Sequence, residues 1–175
     1  MPLITSFPPV ANATARILIL GSMPGQVSLR AGQYYANPRN SFWQLMGELF
    51  GAGRELPYTQ RIRQLKKNGI ALWDVLASCK RTGSLDSAID APSMVANNFP
   101  QFLSAHPRIR SVFFNGAMAE RCFRVHVQAK SDLPLLQLIR LPSTSPAHAA
   151  LSYAQKYAAW QLVARFVANA SGTQK

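Results

Sequence analysis

Four short apolar runs, at positions 16–20, 70–76, 110–114 and 135–141, punctuate this chain. The first contains Ile17-Leu18-Ile19-Leu20, with no polar alternation. A strand of that pattern must be covered on both faces. Helical spacing fills the intervals. The segment 40–49 carries Phe42, Trp43, Leu45, Met46 and Leu49, with Phe50 beside it, and Gly-Ala-Gly follows. Further helices are predicted over 59–67, 98–105, 117–127 and 149–168. Strands that alternate with helices predict a parallel sheet with helices on both faces. The expected fold is therefore α/β, a three-layer α/β/α arrangement around a central four-stranded parallel sheet. One domain spanning 1–175 is expected. Residues 1–15 read as an extended lead-in, and 77–92 as a polar loop.

Net charge narrows the partner. Lys and Arg total 19 against 7 acids, a formal +12, which favours a polyanionic partner, most simply nucleic acid. The chain is 48% apolar and 15% charged, a globular composition. It has no apolar run of about 18 residues, so no membrane span is expected. Its first residues lack the basic and apolar regions of a secretory signal, so a cytoplasmic protein is expected. Cys79 and Cys122 are far apart in apolar surroundings and read as reduced thiols. His106, His126 and His148 show no short ligand spacing, so neither metal nor other cofactor is expected. A monomer is expected.

In a parallel sheet of this kind, ligands bind beyond the carboxyl ends of the strands. The segments leaving the four strands are Gly-Ser-Met-Pro-Gly at 21–25, the polar loop after residue 76, Asn115-Gly116, and Pro-Ser-Thr-Ser-Pro at 142–146. Gly21 and Gly25 permit close backbone approach, and Pro24 stiffens the turn between them. Ser22 and Met23 complete that turn. It is neither a phosphate-cradling loop, since Gly-Lys-Ser/Thr is absent, nor a nucleophile elbow. Tyr34-Tyr35 can stack on a base or simply cover the core with their hydroxyls in water. Asn37 and Asn40 flank Pro38-Arg39 before a helix. Asn40 can cap that helix, or its amide can hold a water or a base edge. Asn115 is either a turn residue or a polar group aimed at a ligand. Ser143, Thr144 and Ser145 sit between two prolines before the last helix, where hydroxyls suit either phosphate contacts or capping.

Taken in order, "LILGSMPG", "GQYYANPRNSFW", "LWDVLASCKRTGSLDSAI", "FFNG" and "LPSTSPAHA" resemble the uracil-DNA glycosylase superfamily. Within it the chain is most similar to the hypoxanthine-DNA (DNA-deoxyinosine) glycosylase branch, family 6. The likeness covers nearly the whole chain and implies the same three-layer fold. It implies a monofunctional enzyme that flips a deaminated base from DNA, hypoxanthine first and uracil second, and hydrolyses its N-glycosidic bond. Met23 stands where other branches carry a water-holding Asp or Asn, and the resemblance passes that role to Asn40, with Asn37 nearby. Tyr35 matches the aromatic that stacks on the extruded base, and Asn115 an asparagine used against it. Ser143 and Ser145, with Thr144 between them, match backbone contacts. The stretch Pro146–His148 matches the segment pressed into the minor groove, though it has no large apolar wedge. Leu141 replaces the usual polar residue before Pro-Ser.

Two other readings fit some of these residues. A non-catalytic binder of damaged or single-stranded DNA would account for Met23 and Leu141. A hydrolase of small nucleotides would fit the loops but not the charge.

Overall fold

The computed structural model describes residues 1–172, so the end of the expected domain, 173–175, lies outside the described residues. In chain order the strands are β1 (Leu3–Thr5), β2 (Ile17–Gly21), β3 (Ile70–Asp74), β4 (Leu76–Lys80), β5 (Val95–Ala96), β6 (Ser111–Asn115) and β7 (Gln137–Leu141). The helices are α1 (Gln26–Ala31), α2 (Phe42–Phe50), α3 (Tyr58–Lys67), α4 (Phe99–Ala105), α5 (Ala117–Phe123) and α6 (Tyr153–Gly172). A π-helical turn, Arg124–Gln128, extends α5.

The unalternated apolar runs become the central sheet, ordered β3-β2-β6-β7 and parallel throughout. Every residue of β2 and β3 is buried. Successive side chains on β6 show why both faces are covered. Phe113 meets Phe166 of α6 at 5.2 Å between ring centroids, and Phe114 meets Phe123 of α5 at 5.3 Å. Neighbours on a strand point to opposite faces, so α5 and α6 lie on opposite sides. On the α5 side, Phe99 of α4 packs on Phe123 and on Trp73 of β3. On the α6 side, Phe42 of α2 packs on Trp160. The result is the expected three-layer α/β/α fold.

Four expectations about the chain change. The lead-in 1–15 contributes β1, which pairs antiparallel with β4, and Val10 bridges to Leu72. The loop at 77–92 instead opens as β4, the middle of a small antiparallel sheet β1-β4-β5. Its polar composition hid it, because a short strand outside the central sheet needs no apolar run. The strand over 70–76 is likewise two strands, separated by Val75. Within the long loop 21–38, six residues form α1, which ends on Gly32 in the left-handed conformation.

Candidate active site

Beyond the carboxyl ends of the central strands opens a cleft of about 660 Å³, within the usual range for small-molecule sites. Gly21 to Gly25, Tyr35, Asn37, Asn40, Asn115, Ser143 to Pro146 and His148 all line it. Thus the four strand-end segments and the Tyr–Asn loop converge on one space. Leu141 does not line it. That residue is 3% exposed, a core side chain at the end of β7.

Close approach explains two glycines. A Cβ at Gly21 would run into Asp74 Oδ1 and stand 2.9 Å from the Tyr35 hydroxyl. At Gly116, φ is +97°, and a Cβ would lie 2.9 Å from that of Ser143. The first lets β2 and β3 meet at the cleft floor, and the second brings the β6 turn against the serine-rich segment.

Two indoles and one guanidinium fix the loops. Trp43 Nε1 donates to the Tyr34 carbonyl at 2.8 Å, and Trp160 Nε1 donates to the Pro142 carbonyl at 2.9 Å. Arg54 donates to the carbonyls of Asn37 and Asn40 at 2.7 and 3.0 Å. The two tyrosines separate in role. Tyr34 is 3% exposed and donates to the Pro8 carbonyl. Tyr35 has φ of +53°, and its ring stacks on Phe42 with centroids 4.0 Å apart. Its hydroxyl is buried with no hydrogen-bond partner, so it does not reach water. Burial, then the charge of Asp74, push that phenol above its ordinary range, and the nearby Asn115 amide opposes the rise.

The asparagines also differ. Asn40 Oδ1 accepts from Phe42 N–H at 2.9 Å, just before α2. It thus supports the helix start as an Asx turn, while among the described residues its Nδ2 has no acceptor. Asn37 Oδ1 accepts from Arg39 N–H at 3.0 Å. Asn115 is engaged at both ends of its amide. Its Oδ1 accepts from Thr144 N–H at 2.8 Å, and its Nδ2 donates to Thr144 Oγ1 at 2.9 Å. Thr144 is 1% exposed, and its carbonyl accepts from Ser41. Thr144 therefore holds Asn115 and joins that residue to the start of α2, while it also lines the cleft. Ser143 and Ser145 accept from the N–H groups of Ser145 and Ala147.

From sequence alone, Asp74 and Asp86 take no assignable role, and Arg81 reads as one of the mid-chain basic side chains of a solvated or phosphate-facing surface. All three gather beside the Gly-Ser-Met-Pro-Gly turn, with Arg81 and Asp74 buried and Asp86 half-buried. Arg81 is 1% exposed and donates to the carbonyls of Pro24 and Gly83. Asp86 Oδ1 accepts from Ser22 Oγ at 2.8 Å. Burial raises the Asp86 carboxyl, against the pull of Ser22 and Arg81. Asp74 lines the cleft with Oδ2 buried and unpartnered. Burial and then the Asp86 charge push its carboxyl up to about 7, with Arg81 opposing. A post-strand Asp in an apolar run was the available signal. Among the described residues, no cluster of three His, Cys, Asp or Glu side chains is arranged to hold a metal ion, and no helix is long and apolar enough to cross a membrane. Cys79 and Cys122 are free and buried.

Comparison with known proteins decides the family. The model of the uracil DNA glycosylase superfamily matches residues 8–164. The chain belongs to the uracil DNA glycosylase superfamily. Two curated relatives in this superfamily are named hypoxanthine DNA glycosylase. The Methanosarcina barkeri protein is 42% identical over 111 residues, which are 63% of this chain and 69% of that one. The Methanosarcina acetivorans protein is 40% identical over 114 residues, 65% of this chain and 71% of that one. A solution structure from M. acetivorans, provisionally assigned as a uracil DNA glycosylase, superposes with a TM-score of 0.78 at 32% identity. It covers 95% of this chain and 99% of that one. The expected family and three-layer fold both hold, and the enzyme class is that of a DNA glycosylase.

Proposed function

We propose that this chain is a monofunctional glycosylase that removes hypoxanthine from DNA, with uracil as a second substrate. The observation that carries the reading is the meeting of Asn40, Asn115 and Tyr35 in one cleft at the strand ends. The names of the two curated relatives support hypoxanthine as the base.

A base inside a duplex is out of reach of such a cleft, so it must be extruded. The deaminated base then lies on the Tyr35 side of the cleft. Hypoxanthine and uracil each present an N–H beside a carbonyl. The unpartnered carboxyl of Asp74, when neutral, supplies both a donor and an acceptor for such an edge. As the glycosidic bond breaks, positive charge grows on the sugar and negative charge on the base. Fixed dipoles aimed at these charges lower the barrier. Among the described residues, nothing accepts from the backbone N–H groups of Met23 and Gly25, which remain available to the departing base. Asn40 Oδ1 keeps a second lone pair for a water hydrogen, which directs the water oxygen toward C1′. No lysine is among the lining residues, so water rather than an amine attacks, and an abasic site results without strand cleavage.

The binder alternative loses part of its support, because Leu141 lies in the core and not in the cleft. The test uses end-labelled duplexes with one hypoxanthine, uracil or xanthine, treated with alkali after incubation. Breaks at hypoxanthine are expected only after alkali. Asn40→Ala is expected to slow them by about 10²–10³, the usual effect of removing one such polar group. Intact binding without base release from any duplex would replace this reading with the binder.

A further inference from the structure

Extruding a base leaves a gap in the stack, and the serine-rich segment has nothing large and apolar to fill it. Its cleft-lining tip is Pro146, Ala147 and His148. Among the described residues the large apolar side chains left exposed include Leu85, at 56%, and of these Leu85 alone lines the cleft. Leu85 does not pack against the core.

Its surroundings are fixed. Ser84 Oγ accepts from Gln26 N–H at 2.9 Å, and Asp86 Oδ1 accepts from Ser22 Oγ at 2.8 Å. Arg81 Nε donates to Gly83 O at 3.1 Å, and the Leu85 carbonyl accepts from Ala88 N–H at 3.1 Å. The neighbours of Leu85 are thus tied to Gln26 at the start of α1 and to Ser22 of the turn at 21–25. The side chain between them is more than half exposed and lies outside the core. An apolar group on a rigid mount loses little further freedom when it enters a partner, and apolar side chains that enter DNA do so between base steps.

We propose that Leu85 is the side chain that enters the duplex where the target base leaves, an assignment that rests on the glycosylase reading above. It places the wedge on the segment after β4, on the wall of the cleft opposite the serine-rich segment. A wedge acts only where a stacked partner strand closes the gap. Single-strand substrate therefore separates it from a residue that acts on the base.

The experiment measures single-turnover base release from hypoxanthine in duplex and in single-stranded oligonucleotides, for wild type, Leu85→Ala and Leu85→Met. The duplex-to-single-strand rate ratio is expected to fall about tenfold or more in Leu85→Ala. It should stay within about twofold of wild type in Leu85→Met, which keeps apolar bulk. An unchanged ratio in Leu85→Ala overturns the assignment, and so does an equal fall in Leu85→Met. If wild type releases no base from either substrate, the glycosylase reading fails first and takes this assignment with it. Wild-type activity with an unchanged variant ratio removes the wedge alone.

Discussion

The two walls of the cleft are built from different materials. One wall, Gly21 to Gly25 with the loop at 81–87, is held by a buried guanidinium, a buried carboxyl and a half-buried one. The other, Asn115 with the serine-rich segment, is held by an amide, a hydroxyl and backbone groups. Both are rigid, but their hold differs in kind. A buried charge is costly to leave uncompensated, and its strength depends on where protons reside. A neutral clasp gives less and keeps it at every pH. A chain with a formal charge of +12 has thus placed two carboxyls in the lining of the cleft that should meet a polyanion. Its net charge describes the attraction of DNA and says nothing of the chemistry in the cleft.

The largest effect expected on this contrast comes from the charged wall. Arg81→Met keeps the bulk of the side chain and removes every donor. The carbonyls of Pro24 and Gly83 lose their partner, and Asp74 and Asp86 lose the nearby positive charge. Breaking such a buried set on one side costs about 3–5 kcal/mol, to be read as a lower denaturation midpoint with an unchanged slope. A loss below about 1 kcal/mol would mean the guanidinium is replaceable by water and the wall is not charge-held.

The proton dependence follows from Asp74. Its carboxyl sits at about 7 in the fold and near its ordinary value of about 3.9 when unfolded. Below about pH 4 both states hold the proton. As pH rises from there, the unfolded chain releases it first, so stability falls until about pH 7 and then levels. Burial sets this first, then the charge of Asp86, with Arg81 opposing; the Tyr35 hydroxyl also faces the carboxyl but is neutral throughout this range. Asp74→Asn removes the slope while keeping the shape. The Tm of the variant relative to wild type should rise by several degrees between pH 5 and pH 8. A constant difference across that range would place the titration elsewhere.

What could be read without coordinates follows from the same contrast. The central sheet was legible because β2 and β6 are apolar at every inward position, a pattern that forces two-sided cover. The cleft was legible because loops leaving parallel strands converge by topology. The charged wall was not. Arg81 and Asp86 lie in a stretch whose Thr, Gly and Ser residues read as exposed turn, and only the tertiary contacts with Pro24 and Ser22 draw them inward. Thr144 is ambiguous in the opposite sense. Hydroxyls before a helix suit a phosphate as well as a neighbour, and the choice is made by Asn115, 29 positions away.

The smallest effect tests the neutral wall. Thr144→Val preserves shape and keeps the backbone N–H that reaches Asn115 Oδ1, so only the acceptor for Nδ2 is lost. One neutral hydrogen bond is worth about 1 kcal/mol, or a Tm lower by about 2–4 °C for a chain of this size. If Thr144 acts by positioning Asn115, base release should slow by about tenfold, with no change in its pH profile. The sharper reading is the pair. In Asn115→Ala the amide is gone, and adding Thr144→Val should then leave the rate of release unchanged, because the second substitution has nothing left to misplace. Effects that multiply instead would mean that Thr144 meets the substrate independently of Asn115. The two walls would then differ in what they touch as well as in how they are held.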